Sequence, residues 1–313
     1  MSTKATLKAS TDTVTLNTGA KIPLFGLGTW QSTDDDASSA VAAALKHGYK
    51  HIDTASFYKN EELVGKAVKE SGIPREELFI TTKVWNDQQR DPAGALDLSL
   101  KKLGTEYVDL LLMHWPVPFK EPENSTLDAY KVPRGPDGKV TRDEEWDFVK
   151  TWHLMQKLLG TGKVKAIGVS NFSINNLEEL LNAEGTTVVP AVNQVELHIR
   201  LPQLELVEYC QKKGIVVEAY SPLGSSSAPL LKDATVNKVA EKYGVTPAHV
   251  LLNYVANRGI VVLPKSVKES RIISNFEYFK MDEEDIKLLN DIHKKEGVQR
   301  FVDPDFSPFP LFQ

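Results

Sequence analysis

The chain has 313 residues, a net charge of −5 and one cysteine. The acidic balance argues against nucleic acid as a partner, because phosphate binding needs a basic face, and leaves room only for a local basic patch that takes one small anionic ligand. A lone cysteine excludes an intrachain disulfide and suits a reducing compartment, so the cytosol is expected. No stretch reaches the roughly 18 apolar residues of a membrane span, so no membrane partner is expected. Neither the start, MSTKATLKAS, nor the end, PLFQ, reads as a signal peptide, a prenylation box or a peroxisomal address.

Along the chain, short β-branched runs alternate with longer stretches of helical spacing, the order of parallel strands with crossover helices. Residues 14–22 hold two short runs around Gly19 and read as a hairpin able to plug the bottom of a barrel. Strands are predicted over 23–27, 51–54, 78–83, 108–114, 166–170, 191–196, 216–220 and 260–264. Several are nearly continuous apolar runs, as expected for strands buried on both faces. Asn60 caps a helix with Leu63, Val64, Ala67 and Val68 on one stripe. Asp91 caps another, with Pro92 at its first position and Gly104 at its stop. Ser173 opens a third, the run through Leu204 and Val207 halts at Gly214, and Thr246-Pro247 opens one that reaches Arg258-Gly259. Cys210, on the fourth of these, reads as a small core residue. One further helix near 269–276 precedes the acidic start at 282–285, which suits a helix dipole.

Two regions lack periodicity. Residues 116–145 are long, polar and rich in Pro and Gly, as functional loops are. The tail, 296–313, carries Phe301, Phe306, Phe309 and Phe312 among prolines, and should lie across another surface. The pattern as a whole predicts one α/β domain over residues 1–313. It is an eight-stranded (β/α)8 barrel with an N-terminal hairpin and C-terminal extra helices and tail.

Active sites of such barrels form at the C-terminal ends of the strands. Falling there are Gly28-Thr29-Trp30, Asp53 with Tyr58, Lys83-Val84-Trp85, His114-Trp115, Ser170-Asn171, Gln194, Tyr220-Ser221 and Lys265-Ser266. Each alone has a plainer role: Asp53 as a turn cap, Lys83 as a solvated strand end, His114 as a core histidine, Tyr58 as packing. Together they suit carbonyl reduction, in which charge develops on oxygen and a proton must arrive there. A phenol titrates near 10. An adjacent ammonium, Lys83, would lower that value, and Asp53 would hold the ammonium. His114 would donate a hydrogen bond to the carbonyl oxygen. No His/Cys/Asp/Glu grouping has metal-ligand spacing, so no metal is expected.

These motifs are ordered along almost the whole chain. They are Gly48-Tyr49-Lys50-His51-Ile52-Asp53-Thr54-Ala55 followed by Tyr58 and Asn60-Glu61-Glu62, then Thr81-Thr82-Lys83-Val84-Trp85. Next come Leu112-Met113-His114-Trp115-Pro116, Gly168-Val169-Ser170-Asn171-Phe172 and Val192-Asn193-Gln194-Val195-Glu196. The series ends with Ala219-Tyr220-Ser221-Pro222-Leu223-Gly224 and Leu263-Pro264-Lys265-Ser266. The chain resembles an aldo-keto reductase, within that family the fungal aldose-reductase-like, NADP-dependent glycerol dehydrogenase and carbonyl reductase group.

The resemblance implies a catalytic tetrad of Asp53, Tyr58, Lys83 and His114 and a monomeric enzyme using NADPH. Ser170, Asn171 and Gln194 would hold the nicotinamide carboxamide and Tyr220 would stack on its ring, with Gly28, Thr29 and Trp30 near that end. Ser221, Leu223 and Ser225 would line the pyrophosphate. Lys265, Ser266, Arg271 and Asn275 would grip the adenosine 2′-phosphate and adenine. A Rossmann fingerprint is ruled out, since Gln31 stands where Gly26-Leu27-Gly28 would require a further glycine. Gln31 also replaces a lysine that belts the cofactor in aldose reductases, so faster cofactor release is expected. Ser274 stands where many members place an acidic residue.

Trp30, Trp85 and Trp115 should wall the substrate pocket, joined by Phe25 or Phe57 and, from the tail, by Val298 and Phe301. Aromatic walls favour aldehydes and ketones of broad shape, such as glyceraldehyde, dihydroxyacetone, aldoses or keto esters. Two other functions fit the fold: a binding protein, which an intact tetrad opposes, and a Schiff-base enzyme using Lys83, which an aspartate partner opposes.

Overall fold

A computed structural model describes residues 4–120 and 126–312. Residues 1–3 of the start, 121–125 of the long loop and the terminal Gln313 lie outside the described residues.

The barrel consists of β4 (Leu27–Gly28), β5 (His51–Asp53), β6 (Phe79–Val84), β7 (Val108–Met113), β8 (Val164–Ser170), β9 (Val192–Glu196), β10 (Val216–Tyr220) and β11 (Val261–Leu263). They pair in parallel in chain order. Closure comes from a parallel bridge between Phe25 and Val262 and from the amides of Gly26 and Gly28, which donate to Val262 and Pro264 carbonyls, both at 3.0 Å. Gly26 permits this approach: a Cβ there would stand 2.6 Å from a ring nitrogen of the buried His51.

The first barrel strand is shorter and later than predicted. Residues 21–23 are taken by β3 (Lys21–Pro23), which pairs antiparallel with β2 (Thr13–Thr15). This hairpin is the predicted plug. Leu16 and Ile22 pack with Phe79, Leu110, Leu112, Ala166, Val192 and Val261 inside the barrel. A small antiparallel pair, β1 (Lys8–Ala9) with β12 (Glu277–Tyr278), has no signature in the sequence pattern.

Around the strands run α1 (Asp34–Lys46), α2 (Glu61–Glu70), α3 (Pro92–Leu103), α4 (Phe148–Gln156), α5 (Ile174–Asn182) and α6 (Leu204–Lys212). They are followed by α7 (Ala234–Tyr243), α8 (Pro247–Ala256), α9 (Glu269–Asn275), α10 (Glu283–Asn290) and α11 (Ile292–Glu296). The side chains of Asp91 and Ser173 accept from backbone amides of their first turns, as their N-cap positions demand. Gly104 closes α3 in the left-handed conformation. At the α2–α3 contact a Cβ on Gly65 would fall 2.2 Å from the Leu103 carbonyl oxygen, so only glycine allows these helices to meet so closely. The main apolar core fills the shell between strands and helices, with Trp152, Tyr49, Tyr254 and Cys210 fully buried in it.

The two aperiodic regions fold onto each other. In the long loop, Val117, Phe119, Tyr130 and Val140 are buried, and bridges join Phe119 to Arg142 and Arg134 to Val140. Phe306 from the tail packs edge-on to Trp115 and Phe119, at 5.3 and 5.1 Å between ring centres.

Candidate active site

Strand register brings the predicted residues to one end of the barrel. Gly28 lies opposite Asp53, Ser170 opposite Gln194, and Gln194 opposite Glu218. Together with the loops above them they line a cavity of about 1170 Å³. Its wall includes Asp53, Tyr58 and His114 and every residue expected to hold the cofactor: Gly28, Thr29, Trp30, Ser170, Asn171, Gln194, Tyr220, Ser221, Leu223, Ser225, Lys265, Ser266, Arg271 and Asn275.

Lys83 lies just beneath. Its Nζ donates to Asp53 Oδ1 at 2.7 Å, to the Thr54 carbonyl at 2.9 Å and to Tyr58 Oη at 3.4 Å. The Lys83 and Asp53 side chains are both almost wholly buried. Burial works against the Lys83 ammonium, but Asp53 and Tyr58 together outweigh it and hold its pKa above the ordinary lysine value. This lysine is therefore a fixed cation, not an amine free to form a Schiff base.

Burial dominates at Tyr58 and pushes its phenol up, whereas Lys83 pulls it down and Asp53 pushes it up again. The ammonium acts in the expected sense, but the net shift is upward, opposite to the sequence expectation, because desolvation of a phenolate is the larger effect. His114 is held neutral, first by burial and then by the Lys83 charge. Its ring meets that of Tyr58 edge-on at 5.6 Å. Its Nδ1 has no hydrogen-bond partner among the described residues.

A second cluster is built on the next strands. Ser170 Oγ donates to the Gln194 carbonyl at 2.8 Å, and Asn171 Nδ2 donates to the His114 carbonyl at 3.0 Å. Tyr220 Oη donates to Asn171 Oδ1 at 2.7 Å. Asn171 holds this pose with φ of 63°, a left-handed conformation that asparagine tolerates. At the far end, Arg271 is exposed and its side chain has no ion-pair or hydrogen-bond partner among the described residues, while Lys265 Nζ reaches the Gln31 carbonyl at 3.3 Å.

The opposite side is aromatic. Phe57 stacks on Trp85 with ring centres 3.7 Å apart, and Trp30 stacks on Phe57 at 5.7 Å. Trp85 Nε1 donates to the Lys131 carbonyl, which ties this wall to the long loop. Trp30, Trp85, Trp115 and Phe57 line the cavity, and Phe25 is buried elsewhere in the core.

Two tail residues need correction. Val298 is 66% exposed and Phe301 packs against His198, and neither lines the cavity. The buried carboxylate of Glu196 accepts the amides of Phe301 and Val302 at 2.7 and 2.9 Å, and the Phe301 ring packs against His198. The wall is supplied instead by Val132 and Arg134 from the loop and by Val302, Pro304, Asp305 and Phe306 from the tail. Glu218 was not among the residues expected at the site. Its signal was available: a carboxyl in the middle of Val216-Val217-Glu218-Ala219-Tyr220, a strand buried on both faces.

Among the described residues no group of three or more His, Cys, Asp or Glu could hold a metal ion, and no helix is long and apolar enough to cross a membrane.

Comparison with known proteins agrees with this geometry. Aldehyde reductase YPR1 of Saccharomyces cerevisiae is 54% identical over 310 residues, 99% of each chain. Glycerol 2-dehydrogenase (NADP(+)) of the same yeast matches to the same extent. D-galacturonate reductase of Hypocrea jecorina is 48% identical, covering 93% of this chain and 94% of its own. Among solved structures, the aldose reductase of Schistosoma japonicum superposes with a TM-score of 0.84 at 37% identity, covering 92% of this chain and 93% of that one. The model of the aldo/keto reductase family matches residues 24–294, and the chain belongs to that family.

Proposed function

We propose that the protein reduces aldehydes and ketones to alcohols with NADPH, using Tyr58 as the proton donor. The observation that carries this reading is the Lys83 ammonium, fixed between Asp53 at 2.7 Å and Tyr58 Oη at 3.4 Å on the floor of a cavity that His114 also faces. NADPH supplies the hydride for the carbonyl carbon. Tyr58 delivers its hydroxyl proton to the carbonyl oxygen, and in the alcohol-oxidising direction takes it back. Lys83 stabilises the phenolate left behind, and Asp53 keeps Lys83 charged and in place. Neutral His114 has one ring N–H, which orients the carbonyl oxygen and stabilises its growing charge.

The cavity suits a dinucleotide phosphate. Ser170, Asn171 and Gln194 offer amide and hydroxyl groups to a carboxamide, and Tyr220 offers a ring face. Ser221, Leu223 and Ser225 lie along the pyrophosphate path. Lys265, Ser266 and the unpaired Arg271 form a cationic pocket for the 2′-phosphate, with Asn275 beside the adenine. Trp30, Trp85 and Trp115 wall the carbonyl substrate, and glyceraldehyde, dihydroxyacetone, aldoses and keto esters are the candidate substrates. Residues 1–313 act as one catalytic domain, monomeric and cytosolic.

The test is oxidation of NADPH and of NADH, separately, with glyceraldehyde and with an α-keto ester. Wild type and Tyr58→Phe are run side by side. Turnover with NADPH that disappears in the variant, with cofactor affinity kept, is expected. Full activity in Tyr58→Phe would overturn the proton-donor role. Tight NADPH binding without turnover across a carbonyl panel would favour a binding protein.

A further inference from the structure

Beneath the cavity floor lies a carboxyl group that neither proton delivery nor cofactor holding uses. Glu218, in the middle of β10, is fully buried. Its Oε2 accepts from Gln194 Nε2 at 2.9 Å, and the same nitrogen donates to Asp53 Oδ2 at 2.8 Å. Its Oε1 has no hydrogen-bond partner among the described residues. The titratable groups around it come from two strands. Asp53 and His51 stand on β5, with His51 Nε2 3.7 Å away, and Lys83 stands on β6. The neighbouring β9 contributes the neutral Gln194, and β11 places Val261 opposite.

A primary amide has two N–H groups on nitrogen and only an acceptor on oxygen. Two carboxyl oxygens face one nitrogen of Gln194, and they leave it a single favourable orientation. A flipped amide would set its oxygen against the oxygens of Asp53 and Glu218, acceptor against acceptor. The Gln194 oxygen, which has no protein partner among the described residues, is then the atom left for a ligand in the cavity that Gln194 lines. With Asp53 alone beneath it, the amide would keep one anchor and could turn about it.

We propose that Glu218 is a positioning residue for the nicotinamide, locking the Gln194 amide so that its oxygen is presented to the carboxamide N–H of the cofactor. The inference rests on the cofactor placement proposed above. Burial first, and the Asp53 charge second, hold the Glu218 carboxyl well above the ordinary carboxylate range. Toward the Gln194 amide its role is that of a hydrogen-bond acceptor.

The test compares two ligands by calorimetry: NADP+ and 2′-phospho-ADP-ribose, the same molecule without nicotinamide. The variant Glu218→Met fills the same volume but offers no oxygen. It should bind NADP+ about tenfold more weakly, the worth of one buried hydrogen bond, and bind the fragment as wild type does. Glu218→Gln keeps an acceptor oxygen and should restore NADP+ affinity to within about twofold. Unchanged NADP+ affinity in Glu218→Met, or an equal loss for both ligands, would overturn the inference and leave Glu218 a support of the fold. If Glu218→Met does not fold, Glu218→Gln decides alone, because an NADP+-selective loss of about tenfold there would refute an acceptor role. Wild-type protein binding NADP+ no more tightly than the fragment would overturn the cofactor placement itself, and the inference with it.

Discussion

The two sides of the cavity are built differently. The side proposed to deliver the proton and face the cofactor stands on strand ends: Asp53, Lys83, Ser170, Gln194 and Tyr220 belong to five of the eight barrel strands. There the polar groups are tied to one another across the strand ends by hydrogen bonds, as Lys83 is to Asp53, Ser170 to Gln194 and Tyr220 to Asn171. The substrate-facing side is formed by a long loop and a tail that meet through Trp115, Phe119 and Phe306. Sheet hydrogen bonds fix the first side to within a fraction of a residue repeat. Ring packing holds the second, helped by scattered hydrogen bonds from side chains to loop and tail backbone. Under the proposed function, one side carries the chemistry and the other sets what reaches it, the division that makes barrels reusable for many substrates.

The largest effect should follow from breaking the strand-end side at its centre. Lys83→Met removes the cation between Asp53 and Tyr58 and leaves Asp53 buried without its partner. Loss of one member of a buried ion pair costs about 3–5 kcal/mol, so the variant should unfold at lower urea. In protein that remains folded, reduction should fall by about a thousandfold. NADPH binding should change little. A rate within about tenfold of wild type would show that Tyr58 delivers its proton without the ammonium.

Arg271→Ala should produce the next largest change, at the far end of the same side. A charge-assisted hydrogen bond to phosphate is worth about 1.5–3 kcal/mol, so NADPH should bind about ten- to a hundredfold more weakly. NADH, which has no 2′-phosphate, should be unaffected. An equal loss for both cofactors would show that Arg271 supports the cavity rather than reading the phosphate.

The strand-end side was legible in the sequence for a physical reason. A parallel strand buried on both faces shows as an apolar run, and the residue after the run is at the barrel mouth whatever the connecting loop does. That rule located Asp53, Lys83, His114, Ser170 and Tyr220 without knowledge of a single helix angle. It failed for Glu218 because only strand ends were considered, and Glu218 points into the barrel from mid-strand. The direction of the Tyr58 shift was hidden too, because it depends on how much water the finished cavity excludes. Val298 and Phe301 were misplaced because the tail has no period to read. Its path is set by contacts distant in sequence: Glu196 with the amides of Phe301 and Val302, and Arg200 with the Gly297 carbonyl.

The same side also carries a cost that the aromatic side does not. His51 is pushed down to about 3, by burial first and less by Lys83, against a raising contribution from a hydrogen bond with the Pro23 backbone. His114 is held neutral by burial and by Lys83. In the unfolded chain both titrate near 6.5. As pH falls below that value the unfolded chain takes up protons that the folded chain refuses, so stability is lost on the acid side. His51 should remove about 2 kcal/mol between pH 7 and pH 5, and His114 should cause a loss of the same sign. Urea unfolding of wild type and His114→Asn at both pH values isolates one of them. The variant should lose less stability than wild type over that interval, and an identical loss would mean that His114 takes up its proton in the folded state.

The smallest effect on catalysis should come from the aromatic side. Phe306 lines the cavity and packs edge-on to Trp115 and Phe119, and it takes part in none of the side-chain hydrogen bonds at the strand ends. The tail is independently fastened by Glu196, five residues or fewer upstream of Phe306 in its contacts at Phe301 and Val302. Phe306→Ala should therefore open the wall without releasing the tail. Truncating a buried phenylalanine costs about 3–5 kcal/mol of stability, with the lower end expected because the site borders a solvent-filled cleft that can relax. For a bulky aryl ketone, KM should rise about five- to tenfold, the loss of one ring contact of about 1 kcal/mol or slightly more. For glyceraldehyde, too small to span the pocket, KM and kcat should stay close to wild type, and NADPH affinity should not move. If NADPH affinity fell together with ketone affinity, the two sides would be mechanically coupled, and the strand ends would owe part of their rigidity to the tail.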